Sequence, residues 1–158
     1  MPRLSAGLLM YRVRDGKTEV LLAHPGGPFF KNKDDGAWTI PKGEPDPEEE
    51  LLAAAIREFE EETGIEPTGP FLPLSPIRQK GGKIVHAWAF EGDCDPSDLR
   101  SNTFSMEWPP KSGRLAEFPE IDRAEFFSLD RAKTKIKAGQ EALLAELESL
   151  LRRSGFPA

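Results

Sequence analysis

The sequence has little of what several classes of protein need. It has one cysteine, Cys94, and two histidines, His24 and His86. A single cysteine excludes a disulfide within the chain and is typical of a reducing compartment. The chain also offers no cluster of cysteine and histidine of the kind that binds zinc. We therefore expect a cytoplasmic protein without a disulfide framework.

Positive charge and long apolar runs are also scarce. The chain has 21 Lys and Arg against 27 Asp and Glu, a net charge of −6, which disfavours coating of a nucleic-acid polymer. The apolar run at residues 4–11 is too short to span a membrane and lacks a signal-peptide cleavage pattern. We expect no membrane association. With 158 residues the chain should form one domain, residues 1–158, with a sizeable core.

The most informative stretch is residues 43–65, GEPDPEEELLAAAIREFEEETGI. Asp46 can cap a helix, Pro47 suits the first helical position, and Glu49 completes a capping box. Gly64 is a natural residue just beyond the helix end. The spacing of the apolar residues predicts a buried stripe. Its members are Leu52, Ala55, Ile56 and Phe59.

Three glutamates occupy unfavourable positions at the end of this helix. Glu58, Glu61 and Glu62 share one face, where like charges repel by a few tenths of a kcal/mol per pair. They also lie toward the negative end of the helix dipole. A broken local rule indicates a functional site, and oxygen ligands suit Mg²⁺ or Mn²⁺. The spacing alone fits a solvated acidic helix end equally well. Arg57 is placed to form an ion pair with Glu61.

The full pattern resembles the Nudix box, G-x5-E-x7-R-E-U-x-E-E-x-G-U, where U is a bulky apolar residue. Every specified position is matched, by Gly43, Glu49, Arg57, Glu58, Phe59, Glu61, Glu62, Gly64 and Ile65. The preceding WTIPK, residues 38–42, is similar to the strand that enters the box in this family. The resemblance to a Nudix hydrolase covers about residues 36–65.

Strands are predicted from apolar and alternating runs along the rest of the chain. They cover residues 4–13, 18–24, 38–40, 72–79, 83–91 and 124–129, with a hairpin turn at residues 15–16. A helical turn is predicted within residues 130–137 and an amphipathic helix at residues 140–153. Residues 92–119 are predicted to be an irregular loop. This order indicates an α/β/α sandwich around a mixed sheet, and the family resemblance implies the same fold.

The resemblance implies a metal-dependent hydrolase that cleaves a phosphoanhydride bond in a nucleoside diphosphate linked to another group. Mg²⁺ or Mn²⁺ would be the cofactor. By resemblance, Glu58 and Glu62 are metal ligands, and Glu61 binds directly or through water. The backbone carbonyl of Lys42 or Gly43 would complete the shell. Arg57 would orient Glu61.

The substrate stays open between two classes. SAGLLMYR at residues 5–12 and WTIPKGE at residues 38–44 are similar to the asymmetric dinucleoside tetraphosphate hydrolases of the family. The loops at residues 25–36 and 92–119 depart from them, so a nucleoside triphosphate is the alternative. The chain would act as a monomer or a homodimer. A catalytically silent nucleotide sensor is a different class of answer, but the intact box disfavours it. An isomerase acting on an isoprenoid diphosphate has little support from the lone cysteine.

Several side chains outside the glutamate cluster are candidates to bind substrate. Lys42 should lie beside the diphosphate. Arg78 and Lys83, in the basic turn that also contains Lys80, would meet phosphates or form an ordinary hairpin tip. The loop at residues 25–36 is for the most part expected to be an ordinary surface loop. As a substrate loop, it would bring Phe29 or Phe30 near a base and Lys31 or Lys33 near a phosphate.

Glu120 is the candidate acid outside the box. Three carboxylates are few for two or three metal ions, and two-metal clamps are common in phosphoryl chemistry. Glu120 closes the long predicted loop just before the last strand. In the dinucleoside tetraphosphate hydrolases a functional glutamate lies shortly before an aromatic strand residue, as Glu120 lies before Phe126. Glu117 is the second choice, and both acids could merely solvate a turn.

Overall fold

The computed structural model describes residues 3–155. One sheet contains seven strands: β1 Leu4–Arg14, β2 Lys17–Pro25, β3 Lys42–Gly43, β4 Leu72–Pro73, β5 Ile77–Arg78, β6 Ile84–Glu91 and β9 Ile121–Ser128. A separate hairpin pairs β7 Thr103–Glu107 with β8 Leu115–Pro119. Three α-helices lie in the described part of the chain: α1 Leu51–Thr63, α2 Leu129–Lys135 and α3 Glu141–Arg153. Short 3₁₀ turns occupy Pro96–Asp98 and Ala138–Gln140.

The large sheet is mixed, as predicted. Its order is β4-β6-β1-β2-β9, with β3 paired to β1 and β5 paired to β6. β1 and β6 run parallel, and the other pairs run antiparallel. The parallel pair needs a long crossover, and α1 lies within that crossover.

Strand β1 divides the core into two layers because its side chains alternate between the faces of the sheet. Ala6, Leu8 and Met10 pack on the side of α1, where Phe59 meets Phe90 edge to face with ring centroids 5.3 Å apart. The opposite layer contains Leu9 and Tyr11 with residues of α2 and α3. The buried leucines of α3 are Leu143, Leu144, Leu147 and Leu151. The predicted α/β/α sandwich is confirmed.

Helix α1 begins later than predicted. Its cap is Glu50, and Glu48 has a left-handed φ of 67°. Asp46 and Glu49 do exchange hydrogen bonds, from Glu49 N to Asp46 O and from Asp46 N to Glu49 Oε1, but these close a turn ahead of the helix. The helix end is as predicted, because Gly64 has φ 77° and donates its N–H to Glu60 O.

Three predicted strands are wrong in extent. The last, predicted at residues 124–129, is Ile121–Ser128, and Leu129 begins α2. Residues 38–40 make only isolated bridges, Ala23 with Thr39 and Trp38 with Ile136, and the paired strand is β3. Residues 72–79 are split into β4 and β5, since the intervening segment ends at Pro76, which has no N–H to donate.

The prediction of an irregular loop at residues 92–119 is wrong. β7 and β8 form a hairpin whose half-buried side chains alternate with exposed ones. Phe104 and Phe118 stand on the half-buried face with ring centroids 6.0 Å apart. At the tip, the Glu107 carboxylate accepts the N–H groups of Lys111 and Gly113. Within the described residues, no helix is both long and apolar enough to cross a membrane.

Gln140 ties the segment before β3 to the C-terminal helix. Its side chain is fully buried. Its Oε1 accepts the Ile40 N–H at 3.0 Å, and its Nε2 donates to Thr39 Oγ1 at 2.8 Å and to Gln79 Oε1 at 3.0 Å. The amide thus satisfies the buried Ile40 N–H and two half-buried side chains.

Gln140→Leu should destabilise the protein by about 1–3 kcal/mol, because the buried Ile40 N–H would lose its acceptor. Urea unfolding measures the change. Glu141→Ala, an exposed change in the neighbouring residue, is the control and should stay within about 0.5 kcal/mol of wild type. Equal stability of Gln140→Leu and wild type would contradict the structural role of the amide.

Candidate active site

Arg57 organises the carboxylates of the box. Its Nε and Nη2 donate to the two oxygens of Glu49, each at 2.9 Å. Its Nη1 donates to Glu58 at 2.9 Å and to Glu61 at 3.1 Å, and Nη2 also reaches Glu44 O at 3.3 Å. The guanidinium lowers the pKa of Glu49 to about 2. One cation therefore fixes three carboxylates.

Glu58 lies directly against Gly43. A Cβ placed on Gly43 would lie 2.1 Å from both Cδ and Oε2 of Glu58, so no side chain fits at this position. β3 holds Gly43 there by pairing with Ala6 and Gly7 of β1. Partial burial raises the pKa of Glu58, and the hydrogen bond from Arg57 opposes the rise. The glycine of the box is needed for this close approach.

Glu62 carries an unsatisfied buried oxygen. Its Oε2 is excluded from solvent and has no hydrogen-bond partner among the described residues. Burial, and then the charge of Glu58, raise the pKa of Glu62 to about 8, while the backbone of Lys42 acts in the opposite direction. A buried carboxylate oxygen without a donor is costly unless a proton or a cation reaches it.

A cleft of about 310 Å³ lies beside Glu62. Its lining includes Phe30, Thr39, Lys42, Glu62, Glu120 and Lys137. Burial, and then the charges of Lys83 and Lys137, lower the pKa of Lys42 to about 8. The cleft therefore has two buried or half-buried groups, an acid and a base, whose charges are each disfavoured in the free protein.

The structure brings Glu120 to this cleft, with its side chain exposed. The charge of Glu120 is among the minor causes that raise the pKa values of Glu58 and Glu62, after burial in both cases. Glu117 lies on β8, exposed, and does not line the cleft. Of these two acids, only Glu120 therefore lines the cleft.

The basic turn is only partly near the box. Lys83 Nζ lies 3.8 Å from Glu44 Oε1, and its charge helps to lower the pKa of Lys42. Arg78 and Lys83 both line a separate depression with Arg3 and Lys80, outside the Glu62 cleft. In the loop at residues 25–36, Phe30 reaches the cleft, whereas Phe29 packs on Trp108 with ring centroids 5.5 Å apart.

Among residues 3–155, no three acidic, histidine or cysteine side chains converge in a ready metal site. Arg57 donates to Glu58 and Glu61 in this arrangement. The donors nevertheless fit a hard divalent cation: Glu62 Oε2 lacks a partner, and Glu58 is held on Gly43 by close contact.

Lys137 and Glu44 are missed by the sequence reasoning. Lys137 lines the cleft and donates its N–H to Trp38 O, although 99 positions separate the two residues. Glu44 follows the box glycine and accepts an N–H from Arg57 at its carbonyl oxygen. No local pattern marks Lys137, because only the packing of the C-terminal segment on Trp38 brings it here.

Comparison with known proteins matches residues 1–147 to the model of the NUDIX domain. A curated bis(5'-nucleosyl)-tetraphosphatase [asymmetrical] of Caenorhabditis elegans is 44% identical over 61 residues, 39% of this chain and 40% of that protein. The match thus spans less than half of the curated relative.

Solved structures match over almost the whole chain. A C. elegans Ap4A hydrolase binary complex is 27% identical, with TM-score 0.66 and 98% and 99% of the two chains covered. The NUDIX domain of Shewanella oneidensis NrtR, complexed with ADP ribose, has TM-score 0.66 at 16% identity, covering 96% and 89%. The second likeness is one of fold.

Glu62→Gln should make the metal-free protein more stable at high pH. The pKa of Glu62 is raised from 4.5 to about 8, so its stabilising contribution is complete below about pH 4.5 and is lost as the pH rises through about 8. The amide cannot ionise, so the variant escapes this loss. We expect similar stability at pH 5 and a gain on the order of 1–3 kcal/mol at pH 9.

Thermal unfolding in excess chelator at both pH values measures the difference. Glu60→Gln, an exposed change on the same helix, is the matched control and should show no such dependence on pH. A variant that is less stable than wild type at pH 9 would assign Glu62 a structural role instead.

Proposed function

The chain belongs to the NUDIX family, and we propose that it is a metal-dependent pyrophosphohydrolase that cleaves a phosphoanhydride bond in a nucleotide. The carboxylates of Glu58 and Glu62 beside a lysine-lined cleft carry this proposal. The cleft has donors for a hard cation on one side and Lys42 and Lys137 for phosphate oxygens on the other.

Glu58 and Glu62 would hold Mg²⁺ or Mn²⁺, with Glu61 and the carbonyl of Gly43 as further oxygen ligands. Bound Mg²⁺ or Mn²⁺ would neutralise charge on the diphosphate and activate water for attack on phosphorus. The unsatisfied Glu62 Oε2 supports this assignment, because a cation would supply the partner that this buried oxygen lacks. Arg57 would release or share Glu58 and Glu61 while it keeps Glu49.

Hydrolysis needs an acceptor for the proton of the attacking water. The water oxygen forms a bond to phosphorus, the bridging P–O bond breaks, and the leaving phosphate departs with the bridging oxygen. Glu120 is our first choice as the general base, since its carboxylate is exposed and lines the cleft with Glu62. Glu58 is the alternative, because burial raises its pKa above the ordinary value.

Lys42 and Lys137 would bind the phosphate chain, and Phe30 would contact the base. An anionic substrate would favour the charged form of Lys42, whose pKa is lowered to about 8 by burial and then by the charges of Lys83 and Lys137. Lys83 could bind a phosphate further along the chain. Arg78 and Lys83 both line the separate basic depression, but Lys83 Nζ also lies 3.8 Å from Glu44 Oε1, so Arg78 is the weaker of our predicted phosphate ligands.

A dinucleoside tetraphosphate is the first candidate substrate, and a nucleoside triphosphate is the second. The likeness to C. elegans Ap4A hydrolase over 98% of the chain favours the first. A silent nucleotide sensor is disfavoured because every box residue is present and Arg57 bonds to Glu49, Glu58 and Glu61.

Purified protein should cleave a nucleotide of a substrate panel only with Mg²⁺ or Mn²⁺, and chromatographic separation of the nucleotide products measures the reaction. The panel should contain dinucleoside tetraphosphates, nucleoside triphosphates and ADP-ribose. Glu58→Gln should lower kcat by at least ~10²-fold, and the exposed Glu60→Gln should retain nearly full activity. Full turnover in excess chelator would overturn the metal requirement, and tight nucleotide binding without turnover would favour the sensor.

Lys42→Ala should raise KM for the preferred nucleotide about tenfold or more, because the cleft would lose a charged phosphate donor. Steady-state kinetics and circular dichroism together separate this effect from misfolding. Lys17→Ala, which removes the same charge from an exposed position on β2, is the control. Unchanged kinetics for Lys42→Ala would exclude it from phosphate binding.

A further inference from the structure

Glu120 is fixed by its backbone and not by its side chain. It lies between β8 and β9, and no hydrogen bond or ion pair within residues 3–155 holds its carboxylate. Its N–H donates to Asn102 O at 2.7 Å, and its carbonyl accepts the Gly26 N–H at 2.9 Å. The place of the carboxylate at the cleft therefore depends on the peptide groups around it.

These bonds belong to a continuous row that starts at helix α1. Asn102 N donates to Glu61 O at 3.0 Å, so the row passes from the box helix through Asn102 and Glu120 to Gly26. Arg100 N donates to Thr63 O at 2.9 Å and adds a second attachment to the end of α1. The base of the β7–β8 hairpin thus connects the box helix to the start of the cleft loop at residues 26–36.

Gly26 permits the closest approach in this row. A Cβ on Gly26 would lie 1.9 Å from Pro119 O and 2.9 Å from Pro119 C, which are backbone atoms. The clash would be with the Pro119–Glu120 peptide group, so a change of rotamer cannot relieve it. Any larger residue at this position must push the peptide of Glu120 away from the cleft loop.

Ser101 fixes the same segment from the other side. Its Oγ accepts the Ile121 N–H at 3.0 Å and donates to Asn102 O at 2.8 Å. Asn102 O is also the acceptor for the Glu120 N–H. One hydroxyl therefore joins the residue after Glu120 to the carbonyl that holds Glu120 itself.

We propose that Gly26 and Ser101 are positioning residues for Glu120, which hold its backbone so that the carboxylate faces Glu58 and Glu62 across the cleft. This inference rests on the proposed function. The packing geometry makes the base of the hairpin part of the reaction machinery, although its tip at Trp108 lies at the far end of the strands. A displacement of about 1 Å is enough to cost a rate of order 10²-fold.

The test compares Gly26→Ala, Glu120→Gln and the double variant on the preferred nucleotide. We expect Glu120→Gln to lower kcat ~10²-fold and Gly26→Ala to lower it about 10- to 100-fold, each with KM within about twofold of wild type. The kcat of the double variant should be within about twofold of that of Glu120→Gln, since both changes remove the same contribution, that of the Glu120 carboxylate.

Two smaller changes at Ser101 test the same proposal in case Gly26→Ala does not fold. Ser101→Ala should lower kcat about fivefold, and Ser101→Thr, which keeps the hydroxyl, should restore it to within about twofold of wild type. Gly139→Ala is the glycine control, because a Cβ there would meet only ordinary contacts at 3.5 Å and beyond. It should leave kcat and KM unchanged.

Three kinetic results would overturn the proposal. The first is a Gly26→Ala protein as active as Gly139→Ala. The second is a double variant whose fold-loss in kcat equals the product of the two single losses. The third is wild-type kinetics for both Ser101→Ala and Glu120→Gln. Amide hydrogen exchange gives a readout that does not need turnover. In Gly26→Ala the Glu120 amide should lose protection at least about tenfold, whereas in Gly139→Ala it should not.

The exchange measurement separates failure of this inference from failure of the proposed function. If the wild-type protein hydrolyses no nucleotide, the proposed function fails and the Glu120 amide decides the positioning role. Loss of its protection in Gly26→Ala supports the role, and full protection there overturns it.

Discussion

The fork of Arg57 is the interaction on which the arrangement of the acidic helix depends. α1 places Glu58 and Glu61 together near its C-terminal end, where the helix dipole disfavours both. A single guanidinium donates to both and to Glu49, in a partly buried site where screening by water is reduced. The same interaction explains why α1 begins after Glu49. The Glu49 carboxylate accepts from Arg57, and the turn that Glu49 forms with Asp46 lies ahead of the helix.

Glu62 and Lys42 are two ionisable groups at the cleft to which Arg57 is not bonded. Burial is the first cause of both pKa shifts, and it brings the acid and the base each to about 8. The free protein therefore keeps two polar groups at the cleft in surroundings that disfavour their charged forms. A cation beside Glu62 and an anion beside Lys42 would relieve both costs together, which links metal binding to substrate binding without a change of fold.

The sequence predicts those parts of the structure that local rules control. Alternation gives β1, β2 and β6, the leucine spacing gives α3, and Gly64 ends α1 as a left-handed residue. The predictions are wrong where contacts between different segments determine the local structure. Asp46 does not cap α1, and residues 103–119 form a hairpin because Phe104 and Phe118 pack together. Lys137 reaches the cleft through a bond to Trp38 that no local pattern could indicate.

Close approaches of the backbone explain why the site is so hard to foresee outside the box. Gly43 admits the carboxylate of Glu58, and Gly26 admits the carbonyl of Pro119, at distances that a Cβ would forbid. Neither needs a left-handed φ, so neither leaves the turn signature by which a glycine is usually noticed. The family pattern identifies Gly43 because it belongs to the motif. Gly26 has no such pattern, and its importance follows only from the hydrogen bonds that connect α1, the hairpin base and the cleft loop.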